Sequence, residues 1–372
     1  MLELLKGSLL DLSNFIKKNN YDVYVYGAGM IGKIVIPDFC ARFGIENHIK
    51  KYIDRDKKKC GHTMQVNNII LEICQLDDIE IDIKRSLLLI SNSDYSSIVD
   101  MLDAQSKYDG LKTVIFPIIQ TIEINNRIDT SIKPIKDYCD DEIPKVIHYF
   151  WFSKKKMPDN IRKSISNWGK ICPDYEIVRW DENNYDIMKN DYVKEAYKLG
   201  KWSFISDYTR LDVLYNYGGF YLDTDVELLK SLNPLRKQGA FCGVEKWGNI
   251  NTGGCCGAIK HHNMIKRMLE YRENMKISSN EFNVETNGVY ETMPFIQLGM
   301  KIDNTVQRIN NMTIFSSDYF HPYDYMSGQT LLTANTFSIH HFNGGWMSEE
   351  ALQNREKTEK RYNDMINRMR AI

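Results

Sequence analysis

The chain has 372 residues, more than one hydrophobic core usually fills, so two domains are expected. Apolar content of 43% and charged content of 26% are ordinary for a soluble globular protein, and a net charge of −1 leaves no basic field to collect nucleic acid. The eight cysteines are scattered without C-x-x-C spacing, which argues against a zinc module and fits a reducing, cytoplasmic compartment.

In chain order, the N-terminal "MLELLKGSLLDLSNFIKKNN" places Leu2, Leu5, Leu9, Leu12 and Ile16 near one helical stripe. Glu3, Lys6, Asp11 and Lys17 interrupt it, so it reads as a helix packed on its own domain. Lying on the inner face of a membrane as a peripheral anchor is the alternative. "YDVYVY" (21–26) is an expected buried strand and leads into "GAGMIG". There Gly27 permits a tight turn, Gly29 lets a phosphate approach the backbone, and Gly32 lets the next helix pack closely. "IKKYIDRD" is expected to be a second strand ending at Asp54, at about the spacing of an acid that grips a ribose. "SLLLIS" (86–91) and "KTVIFP" (112–117) complete a strand–helix alternation, the pattern of a parallel, doubly wound sheet. The result is an N-terminal Rossmann-like domain over 1–135. Gly27, Gly29, Gly32 and Asp54 form its candidate nucleotide site, and docking or homo-oligomerisation is the alternative use of the domain.

Residues 120–143 turn polar and weakly periodic, with the linker proper placed at 136–143. New strands at "PKVIHYFWF" (144–152) and "YEIVRWDE" (175–182) open a second α/β domain over 144–372. "KWSFISDYTRLDVLYNYGG" is then expected to be a helix capped by Ser203 or Ser206 and stopped by Gly218 and Gly219. Asp207 and Arg210, three apart, share a face of it. "FYLDTDV" is expected to be a strand with Tyr221, Asp223, Asp225 and Glu227 on one face. Neighbouring carboxylates repel and raise each other's pKa, a penalty that a divalent cation removes. Oxygen ligands with room for phosphate suit Mg²⁺ or Mn²⁺. The other reading is a solvated strand end.

The combined pattern S-D-x-x-R-x-x-x-L-x-x-x-G-G-x-Y-x-D-x-D, preceded by "IPKVIHYFWF" and "PDYEIVRWDE", resembles the D-x-D sugar-transferase region of glycosyltransferase family 32, relatives of the large clostridial glucosylating toxins. The resemblance covers roughly residues 143–350 and implies a GT-A fold, a nucleotide-sugar donor, Mn²⁺ or Mg²⁺, and retention at the anomeric carbon. It also implies roles. Asp223 faces the ribose and the metal shell, and Asp225 ligates the metal. Asp207 and Arg210 hold the donor sugar, Tyr221 flanks the site, Ser206 sits near the nucleoside, and Trp151 stacks on the base. In "IHHFNGGWM", His341 takes the place of a further metal ligand and Trp346 that of an indole closing over the donor. Two departures stand out: the toxin-like pattern has a serine at Gly344 and an acid at His341. Because neighbours on a strand face opposite ways, His340 is the alternative ligand. Asn251 in "EKWGNINTGG", and less so Glu245, are candidates for the sugar side.

The expected activity is metal-dependent transfer of a sugar, from a UDP-sugar or a GDP-sugar, to a hydroxyl of a glycan or lipid-linked acceptor in surface polysaccharide synthesis. Two rivals remain. A nicotinamide-dependent oxidoreductase built on the glycine loop would need no metal, and a non-catalytic binding or assembly protein would never turn over.

Overall fold

The computed structural model describes residues 1–152, 156–273, 286–343 and 349–372. It divides into two compact units. One comprises Met1–Arg127, Tyr325–Gly328 and Ser348–Ile372, the other Ile128–Asp324 and Gln329–Met347.

The first unit is built on β1 (Glu3–Lys6), α1 (Leu9–Asn19), β2 (Asp22–Tyr26), α2 (Ile36–Phe43), β3 (Ile49–Ile53), β4 (Thr63–Val66), β5 (Ile69–Cys74), β6 (Ser86–Ile90), α3 (Tyr95–Asp103), β7 (Lys112–Ile115) and α4 (Phe116–Arg127). The strand order is Arg370–Ala371, β1, β7, β6, β2, β3, β5, β4, parallel except for the β4–β5 hairpin. The doubly wound expectation therefore holds. The carboxyl ends of β2 and β6 meet at the topological switch point, where such sheets place ligands.

Several expectations need correction here. The N-terminal stripe is two elements, because Gly7 breaks it and Ser8 starts α1 with a capping box to Asp11. Leu9, Leu12 and Ile16 of α1 are buried inside the unit, as expected of a helix packed on its own domain. The strand at "KTVIFP" stops at Ile115, and residues 116–127 are helical rather than linker, with Ile118, Ile119 and Ile124 buried. The expected linker at 136–143 packs along the second unit: the Tyr138 and Cys139 amides donate to the Lys237 carbonyl, and the Ile143 amide donates to that of Arg236. The expected second domain also reached residue 372, but the C-terminal helix Glu349–Arg368 and strand Arg370–Ala371 belong to the first unit. Arg361 and Lys357 pair there with Asp100 of α3, and Arg370–Ala371 extends the sheet beside β1. No described helix is long and apolar enough to cross a membrane.

The second unit runs β8 (Val146–Phe150), α5 (Asp159–Ile171), β9 (Glu176–Trp180), α6 (Asp191–Lys198), α7 (Trp202–Tyr217), β10 (Gly219–Tyr221), β11 (Val226–Leu228), β12 (Ala240–Val244), β13 (Ile250–Asn251), β14 (Cys256–Ala258), α8 (Asn263–Glu273), α9 (Asn287–Ile296), β15 (Gln307–Ile309) and β16 (Met312–Phe315), with a later strand β17 (Ser338–His340). Its sheet has the order β15-β16-β12-β14-β10-β8-β9. Strands β9, β8 and β10 are parallel, and β14 runs against both β10 and β12. This is the mixed α/β sheet expected of a GT-A type unit, with its parallel strands opening toward the D-x-D. The core gathers Ile147, Trp168, Phe220, Leu222, Phe241 and Phe320.

The two glycines after α7 have a packing reason. Gly218 has φ +69° and Gly219 φ +104°, a backbone that side chains avoid. A Cβ on Gly219 would also lie 2.9 Å from His148 Nε2. His148 is buried; Trp180 Nε1 donates to its Nδ1 at 3.1 Å, which leaves Nε2–H to donate to the Gly218 carbonyl at 2.9 Å. Burial pushes its pKa from the usual 6.5 down to about 4. This neutral ring ties β8, β9 and the end of α7 together, and so sets where β10 and the D-x-D begin.

Candidate active site

α7 begins without a side-chain cap at Lys201, so neither Ser203 nor Ser206 caps it. Ser206 instead bonds back to the Trp202 and Ser203 carbonyls, and its own carbonyl accepts from Arg210 Nε at 3.0 Å. Asp207 and Arg210 share a face as expected and pair at 2.8 Å, both buried. Burial lifts the Asp207 carboxyl to about 6, with Arg210 pulling the other way. Burial also works against the Arg210 charge, but Asp223, Tyr221 and Asp207 more than restore it, and its pKa stands well above the ordinary value.

The D-x-D segment is a turn rather than a continuous strand. β10 ends at Tyr221 and β11 starts at Val226, whose amide donates to the Asp223 carbonyl at 3.1 Å. The turn sits at the carboxyl end of β10, beside that of β8. Tyr221 OH donates to Asp223 Oδ1 at 2.5 Å, and Arg210 approaches the same oxygen at 3.4 Å while its guanidinium covers the Tyr221 ring at 4.9 Å. Burial keeps the Tyr221 phenol protonated, its pKa well above the usual value. Glycine supplies the room: a Cβ on Gly253 would fall 2.1 Å from Asp223 Oδ2. The Gly253 carbonyl accepts from the Asp223 amide at 2.9 Å.

The third ligand candidate is a correction. His340, not His341, faces the aspartates, with Nε2 3.3 Å from Asp225 Oδ1 and 3.8 Å from Asp223 Oδ2. β17 pairs antiparallel with β11 in the register Val226↔His340, and strand alternation sends the next side chain to the opposite face. There His341 meets Glu227 at 3.1 Å. One ligand atom each from Asp223, Asp225 and His340 lie within 4.8 Å of one another, a constellation that can hold a cation. Burial alone would lift the Asp225 carboxyl, but the His340 ring outweighs it and holds the pKa at about 2. Phe342 then turns the chain with φ +48°, unusual for a bulky residue, and the Asn343 amide reaches Asp225 Oδ2 at 2.8 Å.

Of the remaining expected residues, Asn251 lies at the site. Its Oδ1 accepts from the Gly253 amide at 2.7 Å, and its Nδ2 donates to Glu245 at 2.6 Å. Burial raises the Glu245 carboxyl's pKa. Trp151, just beyond the carboxyl end of β8, is half-buried and packs against the apolar core. Trp346 and Gly344 lie outside the described residues.

Three residues packed around the site were not singled out in the sequence. Glu291 of α9 is buried and accepts from the Thr252 amide at 2.8 Å and from the Thr252 hydroxyl, and it stands 3.9 Å from Arg210. Thr252 Oγ1 in turn lies 3.4 Å from Arg210 Nη1. His321 packs beside His340, ring centroids 5.5 Å apart. The acid amid the apolar helical residues Val289 and Phe295 was the one available signal for Glu291.

In the first unit the glycine loop is differently arranged. Gly27 has φ +125°, and a Cβ on Gly32 would meet the Gly27 carbonyl at 2.2 Å. Space beside Gly29 is open. Asp54, however, accepts from the Ala28 amide at 2.8 Å, the Asp56 amide at 2.9 Å and Lys59 at 3.1 Å. The acid expected to hold a ribose thus holds its own loop.

Residues 158–242 match the family described as the glycosyltransferase sugar-binding region containing the DXD motif. Over this region the chain is similar to glycosyltransferases that carry the D-x-D motif. It is 25% identical over 189 residues to an uncharacterized glycosyltransferase of Acanthamoeba polyphaga mimivirus, covering 48% of this chain and 73% of the relative. It is 33% identical over 97 residues to inositol phosphoceramide mannosyltransferase 3 of Schizosaccharomyces pombe, covering 25% of this chain and 27% of the relative, so it spans only about a quarter of that protein. Among solved structures, the PaToxG glycosyltransferase aligns with 55% of this chain and 76% of its own, at 18% identity and TM-score 0.34.

Proposed function

We propose that the protein moves a hexose from a nucleotide-diphosphate sugar, UDP-linked in first preference and GDP-linked in second, to a hydroxyl of a glycan or lipid-linked acceptor, with a divalent cation at Asp223, Asp225 and His340. The convergence of these three side chains beside the buried Arg210 is the observation that carries the reading. The inositol phosphoceramide mannosyltransferase relative supports a hexosyl donor and a lipid acceptor. Two carboxylates and an imidazole suit Mn²⁺ better than Mg²⁺, which prefers an all-oxygen shell.

When bound, the cation supplies Lewis-acid neutralisation of the charge growing on the departing diphosphate. The chain's own groups do the rest. Arg210, preorganised by Asp207, Ser206 and Thr252, presents positive charge where the sugar–phosphate bond breaks. Asp207 accepts hydrogen bonds from sugar hydroxyls. Tyr221 holds Asp223 in one orientation. Retention of configuration follows if the acceptor hydroxyl attacks from the face the diphosphate leaves, giving its proton to the leaving phosphate oxygen.

Nucleotide release from a panel of UDP- and GDP-sugars, with Mn²⁺ or with EDTA, tests the reading. Release from one donor, abolished by EDTA, is expected and names the sugar. No release from any donor, together with no thermal stabilisation by UDP or GDP plus Mn²⁺, overturns it.

A further inference from the structure

We infer that His321 is a positioning residue of the cation site: it keys the Asn251–Gly254 loop against His340, so that the three ligands stand in register before a cation arrives. This inference rests on the proposed cation site.

The geometry is specific. His321 is fully buried, and its Nε2 lies 3.1 Å from the Asn251 carbonyl. A carbonyl oxygen only accepts, so Nε2 carries the proton and is the nitrogen that donates. Its Nδ1 is buried without a hydrogen-bond partner among the described residues. A phenylalanine would fill the same space without that cost, so the chain keeps a polar ring where apolar packing alone does not ask for one.

Two glycines clear the ring's place. A Cβ on Gly254 would fall 2.2 Å from His321 Cε1, and one on Gly243 would fall 3.3 Å from Cδ2. The consecutive glycines of "NTGG" thus divide the labour: Gly253 makes room for the Asp223 carboxylate and Gly254 for His321. The loop they occupy is the one whose Gly253 carbonyl anchors the Asp223 amide and whose Asn251 side chain holds the Gly253 amide. On its other side the ring packs 5.5 Å from His340, which stacks on Phe342 at 4.1 Å. His321 therefore reaches both halves of the ligand set, the D-x-D side through the loop and the imidazole side through its ring.

A residue that orients cation ligands from behind acts through the affinity for the cation, typically by about tenfold or more. The test is Mn²⁺ binding to the full chain by electron paramagnetic resonance, beside the Mn²⁺ dependence of donor hydrolysis. His321→Phe is expected to weaken the Mn²⁺ Kd roughly tenfold and to shift the activation midpoint by about the same factor, while kcat at saturating Mn²⁺ stays within about threefold of wild type. His321→Gln, whose amide can still donate to the Asn251 carbonyl, is expected to recover most of the affinity. His321→Asn, too short to keep that bond, is expected to behave like the Phe variant and serves if Phe is not tolerated. Wild-type affinity in both His321→Phe and His321→Asn overturns the inference. So does a loss of kcat and melting temperature that saturating Mn²⁺ does not recover. If the wild type itself binds no Mn²⁺, the cation site fails first and this inference with it.

Discussion

Two glycine-marked segments of this chain, Gly27–Gly32 in the first unit and Gly218–Asp225 in the second, each set an aspartate near the carboxyl end of a parallel strand and use it differently. The first follows β2 directly, whereas Gly218 and Gly219 end α7 and open β10, and the aspartates come after that strand. In the first, Asp54 satisfies its charge on the Ala28 and Asp56 amides and on Lys59, so the loop is internally complete. In the second, Asp223 and Asp225 also have protein partners, Tyr221 and Arg210 for the one and the Asn343 amide for the other, yet they converge with His340 into one cluster that can hold a cation. A glycine turn of this shape makes a ligand approach geometrically feasible. What separates the two is convergence: three ligand-type side chains meet at the second turn, whereas Asp54 is turned into its own loop.

The largest test of that contrast is Asp225→Asn. Donor hydrolysis is expected to fall at least on the order of 100-fold, with the melting temperature held. An Asp225 variant active at ordinary Mn²⁺ concentrations would remove the second turn from the chemistry. Next comes the histidine pair. His340→Ala is expected to cut activity by roughly tenfold or more and to weaken Mn²⁺ binding. His341→Ala, whose ring meets Glu227 at the surface, should change either by less than about threefold. The reverse ranking would restore His341 as the ligand.

A third test concerns the frame of the second turn. The native His148 ring resists protonation until about pH 4, whereas the unfolded ring takes its proton near 6.5. The unfolded state therefore binds more protons between those values. The contribution is full above pH 6.5 and is lost as pH falls toward 4, by about 3 kcal/mol. Urea midpoints measured from pH 7 to pH 4 should slope less in His148→Gln than in wild type; equal slopes would assign the pH dependence to other groups. The smallest effect is expected at the first turn. Asp54→Asn should destabilise the first unit by about 1–2 kcal/mol through weaker loop bonds, leaving the Mn²⁺-dependent kcat unchanged. A loss of turnover without loss of stability would mean that the glycine loop takes part in the reaction.

The parts of the site legible in the sequence were those encoded by short-range rules. Asp207 and Arg210 meet because residues three apart share a helix face, and Gly218 ends that helix because it tolerates positive φ. The strand–helix alternation of the first unit was equally local. The errors came where distant segments decide. The side-by-side histidines could be ranked only once β17 was in register with β11, since a one-residue shift exchanges the faces. Glu291 and His321 belong to the site through packing across a long sequence separation, and no spacing rule marks either. The boundary at residue 144 overlooked that residues 128–143 pack on the second unit and that the C-terminal helix packs with the first.

By itself, then, the sequence determined the local apparatus: a helix carrying an acid and a guanidinium on one face, a glycine stop, and a pair of aspartates behind a buried strand. These follow from backbone geometry and side-chain periodicity over fewer than about ten residues, which any folded context must respect. The tertiary structure alone decided which histidine faces the aspartate pair, which buried acid and imidazole pack around it, and that the N-terminal aspartate is bonded to its own loop. Those outcomes depend on strand register and on which polar atoms find partners after folding, and neither is set until distant segments pack together.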